Sequence, residues 1–237
     1  MIGDLTRPLD LLQRLRFSGM IGRAKTRYIF VVTYGRSGST LLMNLLNAAD
    51  GCMVRGENNN ALYHLYRGWK ALREARDEHG PRSKRQTSAW WGISDINLKA
   101  FEKELAKNFV EHILRPSPGK YILGFKEIRF SDEDVPDLED YMDFLARVFY
   151  PAIFVVNHRR IDDVARSKWW RDDPASLQRL EEIDKRLWSL RGNGQVVHFE
   201  YDRAIGEHSY TEQFLGNLGL KCSRERVAAV FSKRHSY

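Results

Sequence analysis

Tyr34-Gly35-Arg36-Ser37-Gly38-Ser39-Thr40 combines two glycines, one guanidinium and three small hydroxyls in seven residues. It follows a β-rich apolar run, Tyr28 to Thr33, and precedes Leu41-Leu42-Met43-Asn44-Leu45-Leu46, which has the composition of a helix. A strand that feeds a tight glycine loop into a helix N-terminus leaves several backbone N–H groups converging on one spot, where the helix dipole also favours negative charge. The chemistry that fits is capture of phosphate or a close relative. A plain turn explains Gly35 and Gly38, but it does not call for Arg36, Ser37, Ser39 and Thr40 together.

The nucleoside-triphosphate pattern G-x-x-x-x-G-K-[ST] carries its lysine just before the final hydroxyl residue. With Gly38 and Thr40 laid on it, this chain has Thr33 at the first glycine and Ser39 at the lysine, and its basic residue lies inside the loop at Arg36. That substitution argues against a Mg-nucleotide kinase or hydrolase and for another anionic donor. A second candidate lies in Asn157-His158-Arg159-Arg160-Ile161-Asp162-Asp163-Val164-Ala165-Arg166-Ser167. A fork-shaped guanidinium at Arg159 and a hydroxyl eight residues on at Ser167 can grip a second phosphate. An exposed polar helix face would explain the same residues, and this stretch alone favours neither reading.

These residues need elements to position them. Tyr121 to Lys126, Ile153 to His158 and Gln195 to Phe199 read as further strands, and Cys52 to Glu57 as a strand or an extended crossing. Helices are expected over Ala61 to Glu78, Asp95 to Leu114, Asp137 to Phe149, Asp162 to about Arg171, Pro174 to Arg191, Tyr210 to Leu218 and Ser223 to Phe231. Short apolar strands alternating with helices predict an α/β fold: a P-loop-like parallel β-sheet flanked by helices on both faces, in a single domain. Ligands in such folds sit at the carboxyl ends of the strands, where Arg36, Lys126 and Arg159 all fall.

At 237 residues, 43% hydrophobic and 29% charged, the chain has room for one substantial domain and shows no low-complexity tract or repeat. Its net charge of +7 suits anionic ligands. Two distant cysteines, Cys52 and Cys222, are too few for a disulfide framework or a zinc site, so no metal is expected and a reducing cytoplasm is the simplest home. No stretch approaches the roughly 20 apolar residues of a membrane span. Residues 1–27 read as an N-terminal helical extension, with Leu5, Leu9, Leu12 and Leu15 spaced for an amphipathic helix beside Arg14, Arg16 and Arg23. Such a segment more often packs on its own domain than touches a membrane face.

The two anion-binding stretches, in this order, resemble those of the sulfotransferases that use 3′-phosphoadenosine 5′-phosphosulfate (PAPS). Their 5′-phosphosulfate loop is similar to Tyr34 through Thr40, with Arg36 where many members carry lysine. Their 3′-phosphate motif, R-x-P/A-x-D-V-x-x-S, is matched by Arg159, Asp163, Val164 and Ser167, with Ile161 departing from the proline or alanine. His198-Phe199-Glu200-Tyr201-Asp202 looks like the family's Y-E-D-L segment and Phe214 through Leu220 like its F-L-G-L close. The resemblance therefore implies a sulfotransferase-like α/β domain over residues 28–237.

The family's aryl and steroid branch usually places a catalytic histidine after a strand-end lysine. Phe125-Lys126-Glu127-Ile128-Arg129 has none, and Arg55-Gly56-Glu57 instead resembles the bacterial glycan and glycolipid branch, where a glutamate serves as general base. The resemblance thus implies PAPS as co-substrate without metal, and a sugar, polysaccharide or glycolipid hydroxyl as acceptor. It assigns Arg36 and the loop Gly35, Ser37, Gly38, Ser39 and Thr40 to the 5′-phosphosulfate, and Arg159 and Ser167 to the 3′-phosphate. Lys126 falls to the leaving oxygen, Glu57 to the acceptor proton and Phe199 to the adenine. Trp90, Trp91, Tyr63, His64, Trp169 and Trp170 are candidates for a sugar-binding wall, though aromatics are more often core. Lys233 and Arg234 are placed to close over the 3′-phosphate. A P-loop kinase and a basic nucleic-acid-binding protein are the rival readings. The first lacks its lysine; the second does not account for two ordered anion sites, so no nucleic-acid partner is expected.

Overall fold

The computed structural model describes residues 26–171, 175–191 and 195–233. The expected N-terminal helix and Arg234 lie outside the described residues. Five strands, β1 (Arg27–Val32), β2 (Cys52–Arg55), β3 (Ile122–Glu127), β4 (Ala152–His158) and β5 (Val196–Glu200), form one sheet in the order β2-β3-β1-β4-β5. Every neighbouring pair is parallel.

Parallel strands need crossovers, and these put helices on both faces. That is why β4 is buried along its whole length and reads as a near-continuous apolar run. The two-residue period of the strands divides the core. On one face Phe30, Val32, Phe125, Phe154 and Val156 pack against α2 (Ala61–His79), α3 (Leu98–Asn108), α4 (Leu138–Val148) and α7 (Ser176–Ser189). On the other, Ile29, Val31, Ile153 and Val155 meet α1 (Ser39–Ala48), α8 (Tyr201–Gly206), α9 (His208–Asn217) and α10 (Arg224–Phe231). The register sets Phe30 opposite both Phe125 and Phe154, so three tilted rings pack side by side across the central strands.

Two helices are more broken than periodicity predicts. The stretch expected as Asp95 to Leu114 begins as a 3₁₀ turn at Ile93–Asp95. It starts again where the Asn97 side chain accepts from the Ala100 N–H, and ends as a π-type turn at Phe109–Leu114. The stretch expected as Asp162 to Arg171 splits into α5 (Ile161–Ala165) and α6 (Lys168–Arg171). The Ser167 N–H bonds back to Val164 O at 2.9 Å, an i−3 contact that tightens the chain, and Ser167 falls in the break.

The order of the strands places the site. The chain goes from β1 outward to the β2 edge, returns through β3, then crosses β1 to β4. The crevice above the carboxyl end of β1 is therefore flanked by the ends of β3 and β4, the place where strand order reverses.

Candidate active site

Thr33 and Tyr34 leave β1 fully buried, and their hydroxyls fasten the loop to β4. Thr33 Oγ1 is hydrogen-bonded to Asn157 O at 2.7 Å and to Ser37 Oγ at 2.8 Å, while Asn157 Nδ2 donates to Ser37 O at 3.0 Å. The backbone then alternates into the left-handed region at Arg36 (φ 68°) and again at Gly38 (φ 81°). Such alternation turns successive N–H groups toward one concavity, an anion-binding nest. For a non-glycine residue like Arg36 it costs of order 1–3 kcal/mol, a strain that clusters at functional sites. Gly38 is also the N-cap of α1, with no side chain capping that end. A Cβ at Gly38 would lie 2.2 Å from the Tyr201 ring, so both its φ and its cover demand glycine.

A cleft of about 320 Å³ opens over this loop. Arg36, Gly38, Ser39 and Thr40 line its floor, Glu57 and Lys126 one wall, and Arg159, Tyr201 and Trp169 another. Of the expected residues, Arg36, Gly38, Ser39, Thr40, Arg159, Glu57 and Lys126 thus meet in one crevice. Gly35, Ser37 and Ser167 do not line it. Gly35 is covered by the Trp169 ring, its carbonyl accepts from Trp170 Nε1 at 3.0 Å, and the Ser37 hydroxyl is held by Thr33.

Arg159 leaves the end of β4 and ties the two candidate anion-binding stretches together. Its Nη1 donates to Arg36 O at 3.1 Å and its guanidinium lies 4.7 Å from the Tyr201 ring centroid. Its Nε and the Ser167 Oγ are both buried, with no hydrogen-bond partner among the described residues. Buried polar atoms are rarely left so, and two hydrogen-bonding groups left unpaired in the same motif suit an oxyanion.

On the opposite wall, Lys126 Nζ is paired with Glu57 Oε1. The lysine side chain is 7% exposed and the glutamate 41%, so the ammonium is fixed from below and the carboxylate faces the cleft. The buried Glu127 carboxylate accepts from the N–H groups of Asn58 (3.2 Å), Asn60 (3.0 Å) and Ile128 (2.9 Å). The bonds from Asn58 and Asn60 hold the Glu57 loop and the N-terminus of α2 against the end of β3.

Phe199 is corrected by the structure. Its ring does not line the cleft: it is fully buried in the core beneath α1, against Phe214 at 4.8 Å and Tyr210 at 5.7 Å. Tyr201, two residues on, reaches the cleft because α8 starts there and turns the chain back over Gly38. Of the aromatic candidates only Trp169 lines the cleft. Tyr63 is buried with its hydroxyl on Asp137, His64 is an exposed residue of α2, and Trp90 stacks on His79 at 3.9 Å, directly before the exposed Trp91. Lys233 lines the cleft as well. Among the described residues no group of three His, Cys, Asp or Glu side chains is placed to hold a metal, and no helix is long and apolar enough to cross a membrane.

Residues 28–204 match the model of the sulfotransferase family. The chain belongs to that family. Among solved structures, the sulfotransferase is similar to the sulfotransferase domain of the Synechococcus PCC 7002 olefin synthase. The two are 15% identical with a TM-score of 0.51, over 89% of this chain and 78% of that one. The sulfotransferase domain from the curacin biosynthetic pathway matches at 11% identity and a TM-score of 0.48, over 87% and 78%. At such identities the likeness is one of fold. No curated protein sequence matches the sulfotransferase.

Proposed function

We propose that this sulfotransferase moves the sulfuryl group of PAPS to a hydroxyl of a carbohydrate or glycolipid, with Glu57 as general base. The observation that carries the donor reading is the buried, unpartnered Nε of Arg159, an arginine that lines the cleft beside a strained loop with alternating left-handed residues; Ser167 Oγ of the same motif is also buried and unpartnered, though it is not among the residues lining the cleft. One anion site would serve a simple phosphate; two, joined through the Arg159 to Arg36 contact, suit a nucleotide phosphorylated at both ends.

When bound, the donor supplies a sulfuryl group joined to a 5′-phosphate, and its loss leaves adenosine 3′,5′-bisphosphate. Arg36, the α1 N-terminus and Thr40 hold the 5′ end and neutralise charge there. Arg159 and Ser167 hold the 3′-phosphate, and Tyr201, already stacked on the guanidinium, walls the nucleoside. Lys126 is fixed where it can offset negative charge on the oxygen that departs. Among the described residues, Glu57 is the one carboxylate lining the cleft and no histidine lines it. That leaves Glu57 to take the acceptor proton, as the glycan-type branch does, and this choice of base supports a saccharide hydroxyl over a phenol.

Thermal shift with adenosine 3′,5′-bisphosphate, ATP with Mg²⁺, and an oligonucleotide tests the donor reading, since a ligand that binds only the folded state raises its stability. The bisphosphate without metal is expected to give the largest shift. Equal or larger shifts with ATP and Mg²⁺ would return the chain to the kinase class, and a dominant shift with oligonucleotide to nucleic-acid binding.

A further inference from the structure

Tyr34 opens the anion loop, yet its side chain does not line the cleft. It is fully buried, and its hydroxyl reaches across to the other anion site. The Arg159 N–H donates to Tyr34 Oη at 3.1 Å, and the same hydroxyl lies 3.0 Å from Arg159 O and 3.1 Å from Asp184 Oδ1. A phenol has one proton to give. Burial, followed by the nearby Asp184 charge, holds the Tyr34 pKa well above its ordinary value, so the proton stays on. A carboxylate is the stronger acceptor, so the proton goes to Asp184 and the oxygen is left to receive the Arg159 N–H.

Asp184 is itself anchored. It projects from α7, and the oxygen that faces Tyr34 is 2.7 Å from His158 Nδ1. His158 Nε2 lies 2.9 Å from His198 Nδ1, and the His158 ring stacks on Trp188 at 3.8 Å. One carboxylate thus fixes both the last residue of β4 and, through Tyr34, the backbone of the next one. From that backbone the Arg159 side chain runs to its contacts with Arg36 O and the Tyr201 ring, with Nε left unpartnered near the start of the motif that ends at Ser167.

We propose that the Tyr34 hydroxyl, backed by Asp184, is a positioning group that sets the preference for a 3′-phosphorylated nucleotide by locking the Arg159 backbone to the anion loop. The inference rests on the donor reading above and adds to it a residue that touches no ligand. Without the lock the Arg159 guanidinium stays present and charged, but its direction is no longer fixed before binding, and ordering it then costs affinity.

The test is calorimetric titration of adenosine 3′,5′-bisphosphate and adenosine 5′-phosphate into the parent, Tyr34→Phe, Asp184→Ala and Asp184→Asn. The parent should prefer the bisphosphate. Tyr34→Phe should lower that preference by about tenfold, the scale of a buried hydrogen bond left unmade, with the 5′-phosphate affinity nearly unchanged. Asp184→Ala should behave like Tyr34→Phe, and Asp184→Asn, which keeps an acceptor oxygen, should retain most of the preference. Equal loss for both nucleotides, or an unchanged ratio in folded Tyr34→Phe, overturns the inference. If Tyr34→Phe does not fold, the two Asp184 variants decide, and equal ratios in them overturn it. A parent that binds both nucleotides alike overturns the donor reading and this inference with it, whereas a discriminating parent beside an equally discriminating Tyr34→Phe overturns this inference alone.

Discussion

Glu57 and Lys126 form an ion pair whose two members differ in access to solvent, and the difference bears on their roles. A nearly buried ammonium with one carboxylate partner is costly to strip of that partner, so Lys126 stays close to wherever Glu57 points its charge. Replacing Glu57 with glutamine keeps the size and one acceptor oxygen but removes the proposed base. Turnover with a saccharide acceptor should then fall by about 10²–10⁴, with bisphosphate affinity preserved. His64→Ala, the nearest histidine downstream, should leave turnover near parental. Near-parental turnover in Glu57→Gln, measured beside intact nucleotide binding, would remove the glutamate from the chemistry and with it the preference for a sugar hydroxyl. Arg159→Ala should weaken the bisphosphate by roughly 1.5–3 kcal/mol, the worth of a hydrogen bond to a charged group, while adenosine 5′-phosphate binds nearly as before. Parallel titrations of the two nucleotides separate this from a general loss of fold.

At the level of elements, the loop and the N-terminus of α4 carry separate expectations. Gly38→Ala asks an L-residue to hold φ 81° and to put a methyl 2.2 Å from the Tyr201 ring. The loop must open, and bisphosphate binding measured by titration should be lost before the global fold is. Asp137, at the start of α4, gathers Lys70 Nζ at 2.6 Å, Tyr63 Oη at 2.7 Å and Tyr66 Oη at 3.1 Å, which fasten α2 to α4. Burial raises its pKa, but the bonds from Lys70, Tyr63 and Tyr66 outweigh that and bring it from 3.8 down to about 2. A depressed carboxylate pKa stabilises the fold above its unfolded value, and the gain disappears as pH falls through the folded one. Asp137→Asn should therefore destabilise the protein near neutrality, and its deficit in denaturant midpoint should shrink between about pH 4 and pH 2. A deficit independent of pH would assign the loss to packing. Most helices and strands were legible in apolar spacing, because each repeats one rule over many residues; the six-residue α8 was not foreseen, and the four-residue β2 stayed open between a strand and an extended crossing. The break at Ser167 and the two turns around α3 were not legible either, since they answer to single hydrogen bonds formed in the folded chain.

For the whole molecule, the anion loop could be singled out in the sequence because its chemistry is local, with small residues for a close backbone approach beside a guanidinium and hydroxyls. The Arg159 stretch alone stayed open between an anion site and a polar helix face, and was drawn to the loop only by its resemblance to the 3′-phosphate motif. Phe199 and Tyr201 could not be sorted, since which of two rings two positions apart meets the cleft depends on where β5 ends and α8 begins. Tyr34 escaped for a related reason. Its partners, Arg159 and Asp184, are 125 and 150 residues away and meet it only through the sheet. The net charge of +7 and the cations converging on the cleft predict a further property. Bisphosphate affinity should decline steadily as salt rises toward about 1 M, where the screening length shrinks to about 3 Å. A flat response in titrations across that range would place the binding energy in stacking and neutral hydrogen bonds instead.

The position of each strand in the sheet has one more consequence. Arg36 and Arg159 leave β1 and β4, which are paired on both sides, whereas Glu57 follows β2, a four-residue strand at the edge. Substitutions that reshape the edge disturb few neighbours; those at the centre disturb nearly all. Under the proposed function, the donor is gripped from the rigid middle of the sheet and the acceptor is met at its margin, so substitutions around Glu57 should cost the fold less than those around Arg36 or Arg159.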